Sequence, residues 1–296
     1  MNGFLLVDKT GGMTSHDVVA KMRKRFGTKR VGHAGTLDPM ATGVLVLGVG
    51  QATRLLQYVT DGKKGYDATI CLGIATHTDD KEGEVLFVAD SDSLSLVTEE
   101  AIREQLALQV GTIKQRPSSV SAIKIDGKPA HQRIREGEEV VIPEREVTID
   151  EISIHQIRFL DTSIEIDVSV TCSAGTYIRS IARDLGQQLG VGGHLTSLRR
   201  TLVSPFLISE CDSMEEAQLL SVAEGISRIF PIREFTFDEM NEISFGRFLE
   251  PNPKEGLYAG LSPQGDFAAL VVNKIVSDKH NQAIVRAAPI LVAVKE

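Results

Sequence analysis

Residues 163–172 read Ser-Ile-Glu-Ile-Asp-Val-Ser-Val-Thr-Cys. Ile164, Ile166, Val168, Val170 and Cys172 alternate strictly with Glu165, Asp167, Ser169 and Thr171. A period of two places the apolar set on one face of a strand and the polar set on the other. The next residues, Ser173-Ala174-Gly175-Thr176, make a turn, and Ile178, Ile181, Leu185 and Leu189 then recur at helical spacing up to a stop at 190–193. A strand with one covered face followed by an amphipathic helix requires a layered α/β core. Residues 66–72 repeat the alternation through Ala68, Ile70 and Leu72, and 147–157 add a further strand. Phe4-Leu5-Leu6-Val7 and the apolar run 44–49 read as buried strands. Thr14 and Asp17 predict a capped helix start, with Val18, Val19, Met22 and Phe26 as its stripe and Gly27 as its stop. Short helices are expected at 52–59, at the Thr98 cap with Ile102, Leu106 and Val110, and at 194–201. A hairpin or loop is expected around 85–88. Residues 114–145 hold three prolines and two glycines and predict a long projecting segment with a turn at Asp126-Gly127. From Phe235 onward, short strands separated by turns predict a small β-rich domain.

Composition bounds the function. The net charge is −8, with nine acids against two bases in both 79–104 and 207–242. Against that background, residues 21–30 carry six Lys/Arg and no acid: Lys21, Arg23, Lys24, Arg25, Lys29 and Arg30. Charge alone favours solvated helix faces, though a local basic face also recruits polyanions. The three cysteines, Cys71, Cys172 and Cys211, are odd in number and far apart, which fits reduced thiols in a cytosol. No signal peptide opens the chain, and no run approaches the roughly 18–20 apolar residues of a membrane span. A cytoplasmic location with no membrane contact is therefore expected. No phosphate-binding loop, dinucleotide fingerprint, metal-spaced His pair or Gly-x-Ser-x-Gly elbow is present, so neither cofactor nor metal is expected.

Against these exclusions stands Gly32-His33-Ala34-Gly35-Thr36-Leu37-Asp38-Pro39, continued by Ala41-Thr42-Gly43. It is a glycine-rich turn displaying one carboxylate between the basic stretch and a buried strand. Pro39 biases Asp38 away from helical backbone. An Asp-Pro on a turn is ordinarily structural. The residues by themselves leave a soluble α/β enzyme or an RNA binder.

The same residues resemble the signature of the TruB family, bacterial synthases of tRNA pseudouridine 55. Three further blocks match in order: Lys64-Gly65-Tyr66, Ser173-Ala174-Gly175-Thr176-Tyr177-Ile178-Arg179-Ser180 and Leu198-Arg199-Arg200. The resemblance is collinear over about residues 3–205. Asp8-Lys9-Thr10-Gly11-Gly12 resembles the family's start, with Thr10 where proline is usual. The resemblance implies an α+β fold: a mixed, largely antiparallel sheet flanked by helices, with a small β-rich PUA-like domain at the C-terminus. The implied division is a catalytic domain at 1–233, with a thumb-like insertion at about 114–145, and an RNA-binding domain at 234–296. The implied reaction isomerises a uridine in the TΨC loop of tRNA to pseudouridine and needs no cofactor.

The resemblance also implies roles. Asp38 is the nucleophile, toward C1′ or the uracil ring; Arg179 pairs with it, and Tyr66 stacks on the uracil. Leu198 packs in the site wall, and His33 fills the space left by a flipped-out base or stacks on a displaced base. Lys9, Lys64, Tyr177, Arg199, Arg200, Lys21, Arg23, Lys24, Lys29 and Arg30 contact the RNA. The expected partner is tRNA, bound by a monomer without an obligate protein partner. A related synthase with another RNA target, or an added tRNA-folding role, is the alternative.

Overall fold

The computed structural model describes residues 1–118, 124–125, 128–129, 142–277 and 282–293. Strand β1 (Gly3–Lys9) leads to helix α1 (Ser15–Phe26). Thr14 caps α1: its hydroxyl accepts from the Asp17 N–H, and the Asp17 carboxylate accepts from the Thr14 N–H. Gly27 ends α1 in left-handed conformation. Next come β2 (Val31–His33) and β3 (Thr42–Val49). The expected helix at 52–59 is a 3₁₀ turn (Gly50–Arg54) followed by α2 (Leu56–Thr60).

Strands β4 (Lys64–Leu72), β5 (Ile74–Thr76) and β6 (Val85–Val88) follow, with β5 and β6 forming the expected hairpin. Helices α3 (Ser91–Ser95) and α4 (Glu99–Ala107) precede β7 (Gly111–Gln115). Val110 lies past the end of α4 and is exposed. The two-residue strands β8 (Lys124–Ile125) and β9 (Lys128–Pro129) pair with each other; the turn expected between them lies outside the described residues. The chain continues through β10 (Arg145–Phe159), β11 (Ile164–Cys172), α5 (Ile178–Gln188), β12 (Gly193–Val203), β13 (Phe206–Leu207) and β14 (Leu219–Leu220). Helix α6 (Val222–Ser227), β15 (Ile232–Glu234), α7 (Phe237–Ser244), β16 (Leu257–Leu261), β17 (Phe267–Ser277) and β18 (Ala283–Val292) complete it.

The large sheet has the order β14-β1-β3-β12-β4-β11-β10-β7, with β2 on β3 and β13 on β12. Its pairs are antiparallel except β3 with β12, so the fold is the mixed, largely antiparallel α+β architecture expected. The alternating residues of β11 face one core together with Ile70, Leu72, Ile102, Leu106, Ile181 and Leu185. The continuous apolar runs of β1 and β3 instead bury both faces. Phe4, Leu6, Val44 and Val46 enter one core, while Leu5, Val7, Leu45 and Leu47 meet α1 in another.

The predicted helix at 194–201 is a strand. Leu195 pairs with Ile70 and Leu198 with Ala68, so three residues of β12 span two of β4, with an irregularity between Leu195 and Ser197. Such a β-bulge puts two leucines three apart on the same face and so imitates helical spacing.

β3 and β12 come together at Thr42–Arg199 and Gly43–Arg200. Gly43 has φ +99°, and a Cβ there would lie 2.2 Å from the Arg200 carbonyl oxygen. Gly43→Ala is expected to lower stability by about 3 kcal/mol or more, because both the conformation and the clash oppose it. Chemical denaturation checks this.

The second sheet, β15-β16-β17-β18, packs Phe235, Ile243, Tyr258 and Val271 beneath α7. Its Ala259, Leu270 and Leu291 join the core that holds Phe4, Phe206 and Ile226, which seats this sheet against the large one. Among the described residues no helix is long and apolar enough to cross a membrane.

Candidate active site

Residues 34–41 are held by contacts from four directions. The Ser15 hydroxyl, on the first turn of α1, accepts from the Leu37 N–H at 2.8 Å and lies 3.2 Å from the Leu37 carbonyl. The Pro39 carbonyl accepts from the Gly12 N–H and from Lys9 Nζ. Arg200, on β12, donates to the carbonyls of Val44, Gly35 and Thr36. Leu37, Met40 and Ala41 are buried in the core beneath. Asp38 therefore stands on a fixed loop, with its side chain about one-third exposed.

Arg179, on the first turn of α5, closes the site from the opposite side. Its Nη2 donates to Asp38 Oδ1 at 3.0 Å, and Nη1 donates to Asp80 Oδ2 at 3.3 Å and the Thr78 carbonyl at 2.8 Å. Asp80 is itself buried and fixed: Oδ1 accepts from the Thr78 hydroxyl at 2.5 Å and the Glu82 N–H at 3.0 Å. The result is a chain of charge, Asp80–Arg179–Asp38, with only Asp38 open to solvent. Nothing in the sequence singles out Asp80. It sits in an acidic stretch whose composition reads as a polar loop, and its partner is 99 positions away.

A cavity of about 350 Å³ opens beside Asp38, lined in part by Tyr66, Arg145, Tyr177, Leu198 and Arg200. Tyr66 on β4 pairs with Arg200 on β12. Burial raises the Tyr66 phenol above its usual range, and the Arg200 guanidinium beside it opposes the rise. Burial likewise raises the Asp38 carboxyl, with Arg179 pulling the other way. The arrangement provides a carboxylate, an aromatic face and a polarising cation around a space large enough to admit a nucleobase. Among the described residues no cluster of three or more His, Cys, Asp or Glu forms a metal site.

The structure brings Asp38, Tyr66, Arg179, Leu198 and Tyr177 together at this cavity. His33 is not on its wall. It lies on β2, edge-on to His16 with ring centroids 5.4 Å apart, and burial lowers its pKa with His16 adding to the effect. Lys21, Arg23, Lys24, Lys29 and Arg30 are exposed, although Arg23 also donates to the Val31 carbonyl.

Three expected RNA contacts require correction. Lys9 is fully buried and donates to the carbonyls of Thr10, Met13 and Pro39. Lys64 is buried and caps α2 through the carbonyls of Val59, Thr60 and Gly62; burial lowers its pKa to about 8. Arg200 is 1% exposed and ties the loop to the sheet. In each case backbone carbonyl oxygens accept from the cation, so these side chains help build the site, and Lys64 and Arg200 also line the cavity. Arg199 is paired bidentately with Asp8 at 3.0 and 2.6 Å, so its charge is already met.

This fold and site define a pseudouridine synthase: a family model described as "TruB family pseudouridylate synthase (N terminal domain)" matches residues 23–178, and the chain belongs to the TruB family. A second, "tRNA pseudouridylate synthase B C-terminal domain", matches residues 179–227. Similar proteins named tRNA pseudouridine synthase B include that of Corynebacterium aurimucosum, 50% identical over 92% of this chain and 93% of its own. That of Rhodococcus jostii is 50% identical over 91% and 89%, respectively. A chain from a solved H/ACA RNP bound to a substrate RNA containing 2′-deoxyuridine superposes with a TM-score of 0.70 at 22% identity. That match covers 99% of this chain and 85% of the other, and shows a shared fold.

Proposed function

We propose that this chain converts uridine to pseudouridine in tRNA, at position 55 of the TΨC loop. The observation that carries the proposal is Asp38: a carboxylate fixed on a rigid loop, 3.0 Å from a buried arginine, at the mouth of a cavity roofed by Tyr66. The target base is stacked in folded RNA and must be flipped out, at a cost of a few kcal/mol. His33, at the end of β2 where the loop begins, fills the vacated space. The uracil stacks on Tyr66 while Leu198 excludes water. Asp38 attacks as the anion, at C1′ or on the ring, and Arg179 stabilises that anion in the dry cavity. The C1′–N1 bond breaks and the uracil turns. C5 then bonds to C1′, the bond to Asp38 breaks and returns the free carboxylate, C5 loses its proton with help from Tyr66, and N1 gains one. Atoms and charges balance without a cofactor.

Residues 1–233 form the catalytic domain and 234–296 a small PUA-like RNA-binding domain. The enzyme works as a cytoplasmic monomer without a protein partner. The exposed cations of residues 21–30 grip phosphates of the T-arm. Incubation with an unmodified tRNA transcript, followed by chemical mapping, is expected to place pseudouridine at the T-loop uridine. Folded protein in excess that gives no product there refutes the assignment.

The pH dependence follows from Asp38. Because burial raises its pKa above the ordinary 3.8, activity is expected to fall, as pH is lowered, at a pH above that value. Arg179 opposes the rise, so Arg179→Gln moves the acid limb further up in pH, beyond lowering the plateau. Single-turnover rates across pH measure both effects, and an unmoved limb in the variant contradicts the pairing.

A further inference from the structure

We propose that Arg145 is a phosphate-binding residue of the site, gripping a backbone phosphate of the flipped-out uridine; this rests on the function proposed above. Arg145 is the first residue of β10 and lines the cavity beside Asp38. Its guanidinium lies over the Tyr177 ring, 4.6 Å from the centroid, and Nη2 donates to the Gly175 carbonyl. Gly175 has φ +86°, and even a Cβ there would lie 3.7 Å from the guanidinium carbon, so the fork rests flat against the loop that precedes α5. The plane is thereby fixed from two sides.

Its charge is not answered. Among the described residues no carboxylate pairs with Arg145, and its Nε is buried without an acceptor. The other basic side chains of the cavity are accounted for differently. Arg179 pairs with Asp38 and Asp80, while Arg200 and Lys64 are held by backbone carbonyls. The cavity wall thus holds more cations than anions, and Arg145 is the one held by an aromatic ring and a single carbonyl. A half-buried, pre-oriented guanidinium lacking a counter-ion is costly in the free protein unless an anion arrives. A planar fork suits a phosphate's two free oxygens. A nucleotide whose base reaches Tyr66 and whose C1′ reaches Asp38 brings its own 5′ and 3′ phosphates to the rim of this cavity.

The test is a cycle between protein and RNA, using a T-arm stem-loop with a neutral methylphosphonate at the phosphate 5′ or 3′ of the target uridine. With the wild-type chain, one of the two substitutions is expected to weaken binding about tenfold. Arg145→Ala is expected to weaken binding of the unmodified RNA by a similar factor and to be insensitive, within about twofold, to that same methylphosphonate. Arg145→Lys keeps a charge but not the fork, and should retain sensitivity to the phosphate with intermediate affinity. The inference fails if neither methylphosphonate affects the wild type. It also fails if Arg145→Ala loses as much again on the modified RNA, which marks Arg145 as a prop for Tyr177. Product mapping on unmodified RNA with the wild-type chain tests the parent function separately: pseudouridine formation together with no phosphate coupling overturns only the role of Arg145.

Discussion

Asp38→Asn is expected to lower single-turnover conversion by more than about 1,000-fold, as removal of a nucleophile does in other enzymes, while RNA binding stays near wild type. The amide keeps the shape of the side chain and an oxygen to accept from Arg179, but it cannot attack carbon. The same variant should be at least as stable as the wild type at neutral pH. Asp38 has its folded pKa raised above 3.8, so the folded state holds more protons than the unfolded one between 3.8 and the folded value. Stability contributed by this group falls as pH rises through that window, and above it the ionised carboxylate is a net burden. Removing the charge relieves that burden, and Arg179 still has Asp80 and the Thr78 carbonyl as partners. Thermal melts at pH 7 and rate assays on one preparation check both halves. Retention of more than roughly a tenth of the wild-type rate rejects the nucleophile assignment.

Arg200→Met is expected to act in the opposite sense, on the fold rather than on RNA affinity. The guanidinium is buried and satisfies the carbonyls of Val44, Gly35 and Thr36. Methionine fills much of the volume but leaves three acceptors without donors, at about 3–5 kcal/mol in total. The loop carrying Asp38 loses its tie to β12, so catalysis falls with stability. Denaturant midpoints report the first effect. The salt dependence of RNA binding by the folded fraction reports the second: its slope should be unchanged, because no phosphate contact is lost. A variant of wild-type stability with a shallower salt slope would restore Arg200 to the RNA interface.

Much of the frame was legible because its signals are local. The alternation in β11, the stripe and caps of α1, and the turn-to-helix transition before α5 each depend on neighbours within a few residues. The sequence of β12 reads as a helix because its bulge at Thr196 spaces Leu195 and Leu198 by three, and only pairing with β4 shows which residue is extra. The position of Asp38 on a glycine turn was legible too, and the resemblance supplied Tyr66 and Arg179 as its companions. Asp80 was not legible. A carboxylate among many acids gains meaning only when Arg179 is placed 3.3 Å from it.

Lys9, Lys64 and Arg200 mark the boundary most sharply. Their motif positions identified them, and their charge suggested contacts with a polyanion. Whether a cation meets solvent or a cage of carbonyls depends on how distant backbone segments converge, and no pattern along the chain encodes that. The sequence by itself determined most of the local elements, with β12 the exception, and the loop and the acid it displays. The tertiary structure decided which charges are used to build the site and which remain for the substrate. The physical reason is that periodicity and capping are short-range, whereas burial and ion pairing are set by residues that meet only in the folded chain.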